Sequence, residues 1–238
     1  MDLGILLAMM LIFIGSFVQS SIGFGLAIVT APILFQISPD YVPAPITTVA
    51  LFLSLINANR HKATISLNGL WMAFLGRVPG SIAGGFLLYW VDANQLSLWL
   101  GVMVLLAVGI SLLPIRIQPN PNRMMIAGFF SGFFGTSSGI GGPPIALLLQ
   151  HQEANLIRAN LSAFFVVSSL LSLAVQVPIG YMSLHHFYLS LPLLPASFLG
   201  YRAAMHYIDR IPRKTVRLAS LAICFVSGMT AIISALHE

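Results

Sequence analysis

Apolar runs broken by short polar or Gly/Pro-rich segments occupy the chain from end to end. A bilayer-spanning helix takes about 20 mostly apolar residues. The runs predict helices over residues 3–21, 24–37, 44–56, 68–90, 96–113, 124–134, 143–150, 161–177, 184–205 and 216–236. Three of them (24–37, 124–134 and 143–150) are too short to cross upright. These three flank two Gly/Ser-rich breaks, Ser20-Ser21-Ile22-Gly23-Phe24-Gly25 and Thr136-Ser137-Ser138-Gly139-Ile140-Gly141-Gly142-Pro143-Pro144.

Sliding the chain on itself by 116 positions superposes the breaks: Phe17 meets Phe133, Ser21 meets Ser137, Gly23 meets Gly139 and Gly25 meets Gly141. The same shift pairs Leu75 with Leu191, Pro79 with Pro195, Ser81 with Ser197 and Gly84 with Gly200. One ungapped offset that aligns Gly and Pro in two separate segments predicts a two-fold internal repeat. The expected halves are residues 1–115 and 116–238, joined by the Pro- and Asn-rich linker 114–122.

Composition supports a membrane setting. Of 238 residues, 58% are hydrophobic and 7% charged, against roughly 25% charged in a soluble domain. Most of the outer surface must therefore face lipid. The 11 Lys and Arg outnumber the 6 Asp and Glu, but they sit in short segments between apolar runs, so the excess is a topology signal and not a nucleic-acid footprint. Cys224 lies inside an apolar run, which leaves no intrachain disulfide and no thiolate metal site. Met1-Asp2-Leu3-Gly4 lacks the basic start of a signal peptide, and the first run is read as a membrane element.

If each break is a hairpin whose arms enter and leave on one side, each half crosses a net three times and the second half is inverted. Arg60, Lys62, Arg116, Arg123, Arg158, Arg202, Arg210, Arg213, Lys214 and Arg217 then share one face, and Asp2, Asp40, Asp92 and Glu238 the other. The positive-inside rule makes the first face cytoplasmic. Both termini are then outside, and the expected location is a cell inner membrane with the termini periplasmic. Reading the breaks as mere kinks would place Arg158 and the 210–217 cluster opposite Arg60 and Lys62.

The breaks are where chemistry is expected. Irregular backbone at membrane depth survives only when buried in protein or lining a wet cavity. Each break opens a short helix, near Leu26 and near Pro143, whose first N–H groups and positive dipole end suit an anion. Pro143 and Pro144 fit a first turn. Broken helices in matching positions of two halves point to a transporter's substrate site. The alternative for the glycines is tight helix packing. The expected substrate contacts are Ser20, Ser21, Gly23, Phe24, Gly25, Thr136, Ser137, Ser138, Gly139, Gly141 and Gly142. Arg77, the one cation near the centre of an apolar run, joins them. An intramembrane Arg costs about 2.5 kcal/mol or more and by default implies function. No acid occupies any apolar run, so a diffusible anion is its natural partner; the competing role is a strut bound to backbone carbonyls. Gln19, Thr47, Thr48, Asn57, Asn160, Ser162 and Gln176 are secondary path-lining candidates, otherwise interhelical hydrogen bonders. His185 and His186 are expected at the outer mouth, and His61, His151 and His206 among the cytoplasmic charges. Gly135-Thr136-Ser137-Ser138-Gly139 spells the G-x-S-x-G of hydrolases, but it lies between helices, with no strand before it and no His in reach.

In the segments Ser20-Ser21-Ile22-Gly23-Phe24-Gly25 with Ala27 and Pro32, and Gly132-Phe133-Phe134-Gly135 leading to Gly139-Ile140-Gly141-Gly142-Pro143, the chain resembles the sulfite exporter TauE/SafE family of membrane permeases. The resemblance covers nearly the whole length. It implies transport, without enzymatic activity or cofactor, of sulfur-containing anions such as sulfite, sulfoacetate or other organosulfonates. The expectation is an all-α polytopic membrane protein of two inverted repeats, each a broken hairpin followed by three helices, working by alternating access. An anion channel, or a transporter of a different small solute, is the alternative, with an intramembrane hydrolase behind it. A coupling proton or Na⁺, a homo-oligomeric state and the direction of transport stay open. The glycines Gly80, Gly84 and Gly85 fit packing within or between subunits.

Overall fold

The computed structural model describes residues 3–112, 117–150, 152–207, 210 and 213–237. Asp2, Arg116, His151 and Glu238 lie outside these residues, as do positions 114–116 of the linker and the 115/116 boundary; the side chains of Arg213, Lys214 and Arg217 are also outside the described set. Among the described residues there is no strand. The α-helices are α1 Leu3–Ile22, α2 Leu26–Ile37, α3 Ala44–Arg60, α4 Trp71–Trp90, α5 Ala93–Leu112, α6 Pro121–Ser138, α7 Gly142–Leu149, α8 Ala154–Gln176, α9 Leu184–Ser190, α10 Leu193–Tyr207 and α11 Arg213–His237. Among the described residues, five stretches are long and apolar enough to span a bilayer: Leu3–Ile22, Pro39–Arg60, Trp71–Trp90, Asn94–Leu112 and Ala154–Gln176. The protein is thus an all-α polytopic membrane protein.

Helix α8 begins at Ala154, seven residues before the expected run 161–177, and two further elements differ from the sequence pattern for identifiable reasons. The run 124–134 becomes an 18-residue helix, α6. It starts earlier because Asn120 accepts a hydrogen bond from the Arg123 N–H at 2.8 Å, with Pro121 at the first position. It ends later because Ser137 and Ser138 each donate to a carbonyl one turn back, Phe133 and Phe134, at 2.7 Å. Serines that read as loop are therefore helical. The run 184–205 divides into α9 and α10 around Leu191–Pro192, where proline removes an N–H and crowds the preceding turn.

The short helices α2 and α7 have 12 and 8 residues, about 18 and 12 Å long at 1.5 Å per residue. The first break is a true reversal. A Cβ on Gly4 would lie 3.4 Å from Ile37, and one on Gly15 would meet Thr30 and Leu26 within 3.0 Å, so α2 runs back along α1. Gly23 permits the turn: its φ of 100° closes α1 while its N–H donates to the Gln19 carbonyl at 2.7 Å.

Helix α4 packs along α6, α1 along α10, α3 along α8 and α5 along α11. The α4–α6 seam is built from glycines. A Cβ on Gly80 would come within 2.0 Å of the Phe129 carbonyl oxygen, and one on Gly84 within 2.5 Å of that of Phe133. Small residues let the backbones approach this closely. Gly85 faces the Val175 side chain. These three glycines serve packing inside the chain, and the α4–α6 seam carries Arg77 into the interior.

Candidate functional site

The site begins with Arg77 on the glycine face of α4, 2% exposed. Its Nη1 donates to the Ser131 carbonyl and to Ser131 Oγ (3.1 Å) on α6. Its Nη2 donates to the Ser168 carbonyl (3.1 Å) and Ser172 Oγ (2.7 Å) on α8. The fifth donor, Nε–H, is buried without a protein partner. Around the guanidinium the chain has no room for side chains: a Cβ on Gly135 would lie 2.7 Å, and one on Gly141 2.9 Å, from Nη1. Ser131 Oγ in turn donates to the Gly141 carbonyl. Arg77 thus ties α6, α8 and the second break together, as a strut would, and keeps one donor uncommitted.

The two breaks touch. A Cβ on Gly139 would meet Ala27 Cβ at 3.4 Å, and one on Gly142 would meet Phe24 Cβ at 3.1 Å. Between them lies a cavity of about 40 Å³ lined by Gly25, Ala27, Gly139, Gly141, Gly142 and Arg77, with Gln19, Thr47, Ser168, Ser169 and Ser172. At ~10–15 Å³ per water this holds roughly three waters or one small solute. Gln19 occupies the start of α2, its Oε1 accepting from the Leu26 N–H at 3.3 Å. Among the described residues the acids are Asp40, Asp92 and Glu153, and none lines this cavity.

Of the residues expected from sequence, Gly25, Arg77, Gly139, Gly141 and Gly142 line the cavity. The others are placed differently. Ser21, Ser137 and Ser138 spend their hydroxyl hydrogens on the carbonyls of Phe17, Phe133 and Phe134. Thr136 Oγ1 pairs with Ser172 Oγ at 2.9 Å, one bond away from Arg77. Ser20 accepts from Asn57 Nδ2 at 3.3 Å and, with Gly23, lines a second cavity beside Arg158. Phe24 lines a wider apolar cavity of about 310 Å³ with Ile22, Pro143 and Ile157. Among the secondary candidates, Gln19 and Thr47 line the central cavity. Gln176 instead donates to the Thr136 carbonyl at 2.8 Å, and Asn160 accepts from the Ser66 N–H at 2.9 Å.

The serines Ser168, Ser169 and Ser172 on α8 were not singled out from sequence. Their spacing of one and four positions, a polar stripe on one helix face, was the available signal. No group of three His, Cys, Asp or Glu side chains able to hold a metal occurs among the described residues.

The family model described as Sulfite exporter TauE/SafE matches residues 7–231. The chain belongs to that family. No curated protein and no solved structure matches the chain. TauE/SafE proteins are membrane transporters of the sulfite-exporter type and not enzymes, which removes the hydrolase reading of Gly135–Gly139. Membership carries with it a small-anion substrate and a lipid surround. In this TauE/SafE chain the cavity between the breaks has a largely apolar wall into which Arg77, Gln19, Thr47 and the α8 serines bring polar groups.

Proposed function

We propose that the protein exports a small sulfur oxyanion, sulfite or an organosulfonate, by alternating access around the cavity between the two breaks. One observation carries the reading: a fully buried guanidinium, with a donor left over, faces a small cavity that no carboxylate lines. In a low-dielectric interior such a charge is costly unless a partner joins it, and a mobile anion supplies that partner. The anion would lie on Arg77 Nε–H and on the N–H groups at the starts of α2 and α7. It would take the place that Gln19 Oε1 holds on Leu26 N–H. Thr136 and Ser172 buttress the arginine. The hydroxyls of Ser21, Ser137 and Ser138 steady the helix ends that shape the breaks.

The same reading makes residues 1–115 and 116–238 inverted halves in a cell inner membrane with both termini outside. The packing supports it. Shifting the chain by 116 positions turns the α4–α6 pair into the α10–α1 pair, and maps α3–α8 and α5–α11 onto themselves. The run of Gly76, Gly80 and Gly84 against Met125, Phe129 and Phe133 makes α4 and α6 parallel. Parallel α4 and α6, with α2 folded back on α1, agree with the hairpin topology drawn from the charges.

The test is flux of sulfite, sulfate, thiosulfate and an organosulfonate in proteoliposomes, with and without an imposed pH gradient. Wild type should carry sulfite or the organosulfonate above protein-free vesicles, and the gradient reports coupling to protons. Arg77→Lys should fold but need at least tenfold more sulfite, because a point charge replaces the planar fork. Arg77→Ala should abolish flux. Sulfite transport by Arg77→Ala at the wild-type rate would remove the arginine from the mechanism.

A further inference from the structure

We propose that the central cavity is a single-charge site: it takes the singly protonated, monoanionic form of sulfite and turns dianions away, with Ser168 Oγ–H as a second ligand beside Arg77 Nε–H. The inference rests on the anion-transport reading above and names the charge state that the same cavity accepts.

Charge counting carries it. Arginine stays protonated in proteins, and the committed donors of Arg77 rest on neutral groups, the carbonyls of Ser131 and Ser168 and the hydroxyls of Ser131 and Ser172. The helices packed around it carry few other ionisable groups among the described residues: Tyr89 on α4, Arg123 on α6, Arg60 at the end of α3 and Arg158 near the start of α8. None of these lines the cavity. The 116-residue offset brings no second cation, since Arg77 corresponds to Leu193, a fully buried apolar side chain. The starts of α2 and α7 add partial positive charge, but Pro143 and Pro144 leave the first turn of α7 short of N–H groups. The cavity is thus lined by one full positive charge.

A monoanion cancels that charge. A dianion leaves a net negative charge in a low-dielectric interior, where an uncompensated ion is costly. Water is the competing occupant. The cavity of about 40 Å³ has room for roughly three waters, and these can satisfy hydroxyls. They bring no charge, so they leave the guanidinium without a counter-ion. An oxyanion of one sulfur and three oxygens replaces them and supplies the charge.

Ser168 is the second donor. It is 3% exposed, it lines the cavity, and its hydroxyl has no protein partner. Ser172, by contrast, is committed to Arg77 and Thr136. The Ser168 carbonyl holds Arg77 Nη2, so the uncommitted hydroxyl belongs to a residue that already anchors the guanidinium. An anion against Arg77 can take Nε–H and Ser168 Oγ–H together, both as charge-assisted bonds.

Sulfite loses its last proton near neutral pH, so one solute can be offered in both charge states. Binding by calorimetry on the full chain in nanodiscs, and flux in proteoliposomes with the same pH inside and out, are measured one pH unit below and one above neutrality. Half-saturating total sulfite should be about fivefold lower on the acid side, following the monoanion fraction. Chlorate has the pyramidal shape of sulfite and one charge at both pH values, and should compete equally well at both. Sulfate, a dianion at both, should need at least about tenfold more than chlorate. Ser168→Ala should raise half-saturating sulfite about tenfold and keep the wild-type melting temperature, because its hydroxyl holds nothing in the protein. Sulfite flux with the same half-saturation at both pH values, or sulfate competing as well as chlorate, overturns the single-charge site and leaves the transport reading standing. A wild-type half-saturation in Ser168→Ala overturns its role as a ligand. Monoanion-selective binding without flux keeps the site and overturns the transport reading. Neither binding nor flux overturns both.

Discussion

Arg77 is the residue on which the site turns, and its surroundings explain why glycine stands at 135 and 141. Both positions lie where a methyl group would sit within 3 Å of the guanidinium. Gly135→Ala should therefore push Arg77 off Ser131 and Ser172. We expect sulfite flux to drop at least tenfold and stability to fall by about 1–3 kcal/mol, the usual cost of overpacking. Proteoliposome flux and thermal melting check the two effects; unchanged flux would mean the fork has slack. At this scale the sequence was partly legible. A lone Arg inside an apolar run is conspicuous because charge in lipid is expensive. The partners Ser131, Ser168 and Ser172 were not, since a serine in a membrane helix can satisfy itself on a carbonyl one turn back. Ser21, Ser137 and Ser138 do that, whereas Ser131 and Ser172 bond across helices.

At the scale of elements, helix ends carry the information that periodicity lacks. Helix α9 exists as a separate turn because Pro192 ends it and a capping box begins it. His186 Nδ1 accepts from the Ser183 N–H at 3.2 Å and pairs with Ser183 Oγ at 2.8 Å. Accepting at Nδ1 requires that nitrogen to be unprotonated. Burial lowers the His186 pKa below its ordinary value, with Asp40 opposing and His185 adding to the shift. A histidine with a lowered folded-state pKa stabilises the fold above its unfolded value of about 6.5 and loses that contribution as pH falls through 6.5. The melting temperature should therefore decline between pH 7.5 and 5.5. His186→Asn should flatten the decline in part, because His61, also lowered, titrates in the same window. A slope equal to wild type would detach α9 capping from pH. The pair His185–Asp40, 3.5 Å apart, joins α9 to the segment before α3 at this same end.

At the scale of the whole molecule, the packing of α4 on α6 and of α3 on α8 is what closes the cavity. Hairpin topology makes a direct prediction about sidedness. In a Cys224→Ser background, single cysteines at Lys62→Cys and Arg210→Cys should react with an impermeant thiol reagent from the same face. Asp40→Cys and Asp92→Cys should react only from the other. Labelling of Lys62→Cys and Arg210→Cys from opposite faces would remove the antiparallel arrangement and the opposed helix starts with it. Several features were determined by the amino-acid order alone: the membrane setting, the helical character of the chain, the two breaks and their common offset, and the place of Arg77 near the centre of an apolar run. Each follows from local hydropathy, from glycine and proline chemistry, or from the cost of charge in lipid. Which glycines pack and which face a cavity, and which serines answer Arg77, depend on residues brought together from α1, α2, α4, α6 and α8. Those distances are set by helix packing, and no local pattern in a uniformly apolar chain encodes them.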